Sequence, residues 1–240
     1  MDSPAMAEWI SATSTTLPVA SFNGNMNLKS RVKHFKSLVE HLQSEALERP
    51  IILGGRSMGS RAAVTLYNET PDLCKKLVLQ SYPLKNQKPD PSRAELLRAI
   101  PEDCEVLFVI GSRDAMCPIE ELVKLRQEMK AKSWMIVVEG ANHGMEVLGG
   151  KAATSAMRQK AGELVSEWVT ARSAMQEVRE GKLTWADDEA QWTGWLEDPP
   201  GAAEEEVVED GAEQSTSRKR EAEEPIEDRP SRSKRTKTQQ

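Results

Sequence analysis

The stretch at 53–61, LGGRSMGSR, follows the apolar residues at 50–52, and its glycines allow two readings. Gly54 and Gly59 have the spacing of a phosphate-cradling loop, but Ser60 and Arg61 stand where that loop needs Lys and then Ser or Thr. Without the lysine that reaches the β- and γ-phosphates, the phosphate reading fails. Gly55-Arg56-Ser57-Met58-Gly59 instead fits GxSxG, in which a strained strand-to-helix turn holds a serine above the C-terminal edge of a sheet. Gly55 and Gly59 are expected to be glycines because a side chain at either position would collide with the neighbouring strand or helix. Ala62 and Ala63 let the same helix lie close to the sheet. GxSxG recurs by chance, and a serine that opens a helix is also an ordinary cap. The rest of the chain has to decide.

Working outward from the elbow, short apolar runs alternate with helical patterns. LPVASF (17–22), PIILGG (50–55), KKLVLQSYP (75–83), CEVLFVIG (104–111) and WMIVVEG (134–140) read as strands. Helices are expected at 28–47, where Val32, Phe35, Leu38, Val39 and Leu42 share a stripe, and at 57–70, 93–100, 118–131 and 152–172. This alternation implies an α/β fold, a mostly parallel sheet flanked by helices.

A serine hydrolase of that architecture carries its acid and its histidine after the nucleophile, in that order. Asp114 lies in GSRDAMCP just past the strand at 104–111, and His143 lies in GANHGM just past the strand at 134–140. Both therefore come to the sheet edge from which Ser57 emerges. The expected roles are Ser57 as nucleophile, His143 as its base and Asp114 as the group that fixes the imidazole tautomer. The Met58 N–H is an expected oxyanion donor. Alone, Asp114 also reads as a turn aspartate and His143 as a solvated loop histidine; their order behind the elbow favours the triad. His34 and His41 border the stripe of the 28–47 helix and read as surface residues. Arg56 and Arg61 read as partners in ordinary ion pairs.

The chain has 240 residues, a net charge of −6 and 38% hydrophobic residues, a low fraction that points to a part that does not fold. Nothing in that charge calls for nucleic acid or a membrane as a partner. The odd cysteines Cys74, Cys104 and Cys117 lack CxxC spacing, so no disulfide framework or metal site is expected and a reducing compartment fits. No cofactor is implied. The N-terminus has no basic segment leading into an apolar run, and no stretch approaches the roughly 18 apolar residues of a membrane span. A soluble, non-secreted protein is expected.

Composition changes near 175, which divides the chain into a domain at 1–173, a Trp-bearing segment at 174–200 and a charged tail at 201–240. Trp185, Trp192 and Trp195 have a spacing that one helical face could carry. That segment reads either as a terminal helix folded back on the domain or as a docking motif for a partner. The tail is expected to be disordered. Its basic clusters at 218–220 and 233–237 read either as a loose bipartite nuclear localisation signal or as part of a solvated mixed-charge tail.

PIILGGRSMGSRAA, SYPLKNQKPDPSRAELLRAI, CEVLFVIGSRDAMC and VVEGANHGM together resemble the α/β-hydrolase-like family of testis-expressed protein thirty and subunit three of the NSL histone-acetyltransferase complex. They are also similar to the wider dienelactone-hydrolase group. The resemblance covers roughly 1–172, with GGRSMGSRAA and GSRD as its most specific parts. It implies a serine-hydrolase fold with Ser57, Asp114 and His143 at the triad positions, although some members look like scaffolds. Ser60 departs from the second glycine that commonly follows SMG.

Mapped onto that fold, 4–13 resembles the first helix, 17–22 the fourth strand and 50–55 the fifth. The first three strands and the loop that supplies a second oxyanion donor have no counterpart, so Met1 is expected to be an internal methionine of a longer protein. A gap in the sheet and weak activity are expected to follow. The resemblance implies little about substrate, and two functions remain. One is a serine hydrolase of a small ester or related acyl substrate, its cleft expected to be open because the segment between the strands at 75–83 and 104–111 is too short for a large lid. The other is a non-catalytic scaffold that meets a protein partner through its Trp-bearing segment and tail. A nuclear or nucleocytoplasmic location goes with either.

Overall fold

The structure is a computed structural model that describes residues 4–45, 50–86, 90–171 and 178–197. Its elements run α1 (Pro4–Ser14), α2 (Leu28–Ser44), β1 (Ile52–Arg56), α3 (Met58–Glu69), β2 (Lys76–Gln80), α4 (Ser92–Arg98) and β3 (Glu105–Gly111). Then follow α5 (Ile119–Glu128), β4 (Lys132–Val138), α6 (Gly150–Thr170), β5 (Val178–Ala186), β6 (Glu189–Trp192) and β7 (Leu196–Glu197). Strands β1 to β5 pair in parallel and in chain order, and β6 and β7 add to β5 in antiparallel fashion.

The near-continuous apolar runs of the central strands follow from a sheet covered on both faces. On β3, Val106, Phe108 and Ile110 join one core with residues of α2, α3, α4 and α5, including Val39, Leu66, Leu97 and Leu122. Leu107 and Val109 point the other way, to Trp9 of α1 and to Met157, Leu164 and Trp168 of α6. Because strand side chains alternate, both parities of β3 have to be apolar. The stripe expected on α2 is the face turned inward, with Val32 and Val39 buried and His34 and His41 exposed. Asn27 starts this helix, its side chain accepting from the Ser30 N–H at 3.0 Å. Helix α1 lies against α6 at Gly162, where an added β-carbon would come within 2.7 Å of the Ala12 methyl and 2.8 Å of the Trp9 carbonyl.

Two sequence expectations are corrected. Residues 17–22 do not form a strand: β1 is the edge of the sheet among the described residues, and the expected gap between 17–22 and 50–55 does not arise. An extended segment becomes a strand only through a neighbouring ladder, and 17–22 joins none. Val19 remains exposed, while Phe22 packs edge-on against Phe35 with centroids 4.8 Å apart.

The Trp-bearing segment is not helical. It forms a hairpin, and β5 pairs with β4, so the sheet runs past the boundary expected at 173. Asp187 and Asp188, at φ 52° and 59°, make the two-residue turn between β5 and β6, the positive-φ pair that matches strand twist. Trp185, Trp192 and Trp195 pack against the α1/α6 core, and the rings of Trp192 and Trp195 meet edge to face at 5.2 Å. Folding back on the domain therefore holds, through a hairpin in place of a helix. Residues 198–240, and with them the expected disordered tail and its basic clusters, lie outside the described residues. Among the described residues no helix is long and apolar enough to cross a membrane.

Phe108 is fully buried at the centre of the sheet. Replacing it with Ala is expected to destabilise the domain by about 3–5 kcal/mol, read as a lowered urea midpoint at unchanged slope.

Candidate active site

Strand β1 turns into α3 within one residue. That residue, Ser57, has φ 52° and ψ −115°, a conformation that non-glycine residues rarely adopt and that only surrounding contacts can hold. The contacts are specific. The Ser57 N–H donates to the Gln80 carbonyl on β2 at 2.9 Å, which extends the sheet ladder, and the Ser57 carbonyl accepts from Arg61 N at 3.2 Å inside the helix. Close packing completes the turn, since a β-carbon on Gly55 would lie 2.5 Å from the Gly59 carbonyl carbon and 2.9 Å from Ser60 N.

The expectation of a collision at both glycines holds at one of them. A β-carbon on Gly59 would meet only the Arg31 guanidinium, at 3.8 Å. Gly59 is what Gly55 makes room for, and a β-carbon of its own would find space.

The acid and the histidine arrive on the loops after β3 and β4. Those two loops come together at Gly111, where a β-carbon would sit 2.3 Å from the Ala141 carbonyl oxygen. Arg113 N donates to that same carbonyl at 2.8 Å, and the Ser112 hydroxyl bridges the Gly140 N–H (2.7 Å) and Glu139 (3.0 Å). Asp114 is 3% exposed and accepts the Met116 N–H on Oδ1 at 2.8 Å. The His143 loop is turned by Asn142, whose Oδ1 accepts from Gly144 N at 2.8 Å and Glu146 N at 3.1 Å.

The three sequence-selected side chains meet. Ser57 Oγ lies 2.9 Å from His143 Nε2, and His143 Nδ1 lies 3.0 and 2.9 Å from the two oxygens of Asp114. A carboxylate only accepts, so the Nδ1 site carries the proton and Nε2 is left with a lone pair facing the serine hydroxyl. Chemically this chain can take a proton from Ser57 and stabilise the resulting imidazolium. Met58 is the first residue of α3, so its N–H has no acceptor within the helix and stands beside the serine.

Other groups fall into place around this line. The Arg61 side chain is buried and takes part in an ion pair, its Nη2 3.5 Å from Asp90, which Arg93 also contacts at 3.1 Å. Cys117 is buried close to Asp114, and burial, with the carboxylate adding to it, pushes its thiol pKa well above the usual range. It is therefore no rival nucleophile. Among the described residues no group of His, Cys, Asp and Glu is arranged to hold a metal ion. Sequence reasoning passed over Gly111, and the only signal for it was a glycine closing a β-rich run. It also read Arg56 as an ion-pair residue, whereas Arg56 Nη2 donates to the His143 carbonyl at 2.9 Å.

A strand–elbow–helix turn whose serine meets a histidine and a carboxylate at one edge of a parallel sheet defines an α/β-type hydrolase framework. A profile of alpha/beta hydrolase domains matches residues 26–170, more than half of the chain, and the chain belongs to that family. Solved structures share the fold at low identity. An alpha-beta serine hydrolase homologue from Coxiella burnetii aligns at 15% identity and TM-score 0.52, over 69% of this chain and 76% of that one. The esterase domain of a Rhodothermus marinus protein aligns at 15% and 0.53, over 69% and 79%. Est1E from Butyrivibrio proteoclasticus aligns at 15% and 0.53, over 70% and 83%.

The two elbow glycines are expected to respond oppositely to alanine. Gly55→Ala should lower the thermal midpoint, because backbone on both sides of the turn must move to admit the methyl. Gly59→Ala should leave it unchanged or raise it, by up to about 1 kcal/mol of added helix stability.

Proposed function

We propose that the chain is a serine hydrolase that cleaves a small ester or related acyl substrate. Ser57 is the nucleophile, His143 the general base and acid, Asp114 the orienting carboxylate, and the Met58 N–H an oxyanion donor. The observation that supports this reading best is the unbroken hydrogen-bond line Ser57 Oγ–His143 Nε2–His143 Nδ1–Asp114, each link at 3.0 Å or less. Residues that serve only as a cap, a turn or a solvated loop do not require that line.

In this mechanism Ser57 Oγ attacks the acyl carbonyl as its proton passes to His143 Nε2. The carbonyl oxygen takes up the negative charge and is met by the Met58 N–H. Collapse of the tetrahedral intermediate expels the alcohol, which leaves with the proton from His143, and an acyl-enzyme remains on Ser57. Water then repeats the sequence with His143 as its base, releasing the acid and restoring the hydroxyl. Asp114 stays ionised throughout and holds the imidazole in the Nδ1–H tautomer. Removal of one oxyanion donor typically costs about 10²–10³ in turnover.

Within the family, GGRSMGSRAA and GSRD support placing the chain beside testis-expressed protein thirty and subunit three of the NSL complex. On that placement, the basic clusters at 218–220 and 233–237 direct it to the nucleus.

A fluorophosphonate probe is expected to label the full chain, and Ser57→Ala, His143→Ala and Asp114→Asn are expected to abolish labelling or reduce it steeply. Labelling that survives Ser57→Ala, or its absence from the unaltered chain, defeats the hydrolase reading and leaves a non-catalytic scaffold. A fluorescent reporter fused to residues 201–240 is expected to concentrate in nuclei, and an even distribution counts against nuclear import.

A further inference from the structure

Two arginines converge on the backbone of the loop that carries His143. Arg56 Nη2 donates to the His143 carbonyl at 2.9 Å, Arg158 Nε donates to the Met145 carbonyl at 3.0 Å, and Arg158 Nη2 donates to the Gly144 carbonyl at 3.0 Å. Three successive carbonyls are thus held by guanidinium groups from β1 and α6. The two arginines are placed differently in energy. Arg158 is 8% exposed and also pairs with Glu8 at 3.0 Å, so its charge is compensated.

Arg56 forms no ion pair as close as that one among the described residues. Its Nε is buried without a hydrogen-bond partner, and the bond to His143 is the one its guanidinium makes among the described residues. Burial lowers its pKa and the like charge of Arg158 lowers it further, while Asp114 and Glu146 act in the opposite sense. Beside it in register on β2, Gln80 is fully buried with both amide atoms unpaired. A half-buried cation whose Nε is shut away from water without a partner is a poor device for stability, because a single bond returns little against that desolvation. What that bond does reach is the backbone of the residue facing Ser57.

We propose that Arg56 is a positioning residue that ties the nucleophile and the base together through one strand end. This rests on the hydrolase reading above. Arg56 and Ser57 are consecutive, so the end of β1 sets the serine through its backbone and the His143 peptide plane through the Arg56 side chain. Asn142 and Gly111 shape the neighbouring parts of the loop and Arg158 holds the next two carbonyls, so the bond from Arg56 acts on the His143 peptide itself. A misplacement of about 1 Å at such a point costs on the order of 10²-fold in rate. Arginine suits the task because its planar fork gives the donor a fixed direction, which an ammonium group lacks.

The test uses the full chain with Arg56→Met and Arg56→Lys. Long-range ¹⁵N–¹H correlations of the His143 ring, assigned by their loss in His143→Ala, report which ring nitrogen carries the proton and whether the ring is ordered. Fluorophosphonate labelling reports the rate at Ser57. Arg56→Met is expected to convert the single Nδ1–H form into a mixture of tautomers and to slow labelling by about 10–100-fold, with circular dichroism unchanged. Arg56→Lys is expected to give intermediate values of both. A ring signature and labelling rate like those of the unaltered chain in Arg56→Met overturn the proposal. If Arg56→Met does not fold, values in Arg56→Lys equal to those of the unaltered chain overturn it equally. If the unaltered chain is never labelled, the hydrolase reading falls, and the ring signature still decides whether Arg56 orders His143.

Discussion

Gly55 has no β-carbon, and the backbone of Gly59 and Ser60 fills the space one would need. That contact lets a strand end and a helix begin on the same residue, and it forces Ser57 into a positive-φ conformation that its own side chain disfavours. Strain of this kind costs roughly 1–3 kcal/mol and persists only where neighbours over-determine it. Here the Gln80 carbonyl fixes the Ser57 N–H from the adjacent strand, and the first turn of α3 fixes its carbonyl. The hydroxyl is thereby presented above the sheet edge, and the histidine and carboxylate have one fixed point to meet.

The meeting depends on a second close approach. β3 and β4 run parallel and in register to their ends, Gly111 opposite Val138, so their following loops leave the sheet side by side. Gly111 allows the Ala141 carbonyl to come within what would otherwise be a methyl's volume. Asp114 and His143 are then brought to hydrogen-bond distance although they lie on separate loops. Both crowded glycines serve backbone approach. They set the positions of Ser57, Asp114 and His143 relative to one another without touching any of the three side chains themselves.

Much of the fold was legible because its signals are local or periodic. Unbroken apolar runs at 104–111 and 134–140 mark strands buried on both faces, and the spacing of Val32, Phe35, Leu38, Val39 and Leu42 marks a helix with one inward face. The misreadings came where local pattern and pairing diverge. LPVASF has strand composition but no ladder to join. KLTWADDEAQW carries alternation around an Asp-Asp turn, but the tryptophan spacing also fits a helix, and only the open edge of β4 selects the strand. β-structure is decided by what lies alongside more than by intrinsic preference.

The sequence by itself determined the elbow, the order of Ser57, Asp114 and His143, and the strand ends from which each emerges. Those are matters of residue type and of spacing along one chain. Only the tertiary structure decided that Gly55 is crowded while Gly59 is not, that Gly111 is where two loops touch, and that Arg56 holds the His143 carbonyl. Each of these is a distance of a few ångströms between groups brought together by folding, and for Arg56 and His143 the groups lie 87 residues apart. No periodicity along the chain encodes such a distance. It exists once parallel strands have put their ends at one edge and side chains have packed between them.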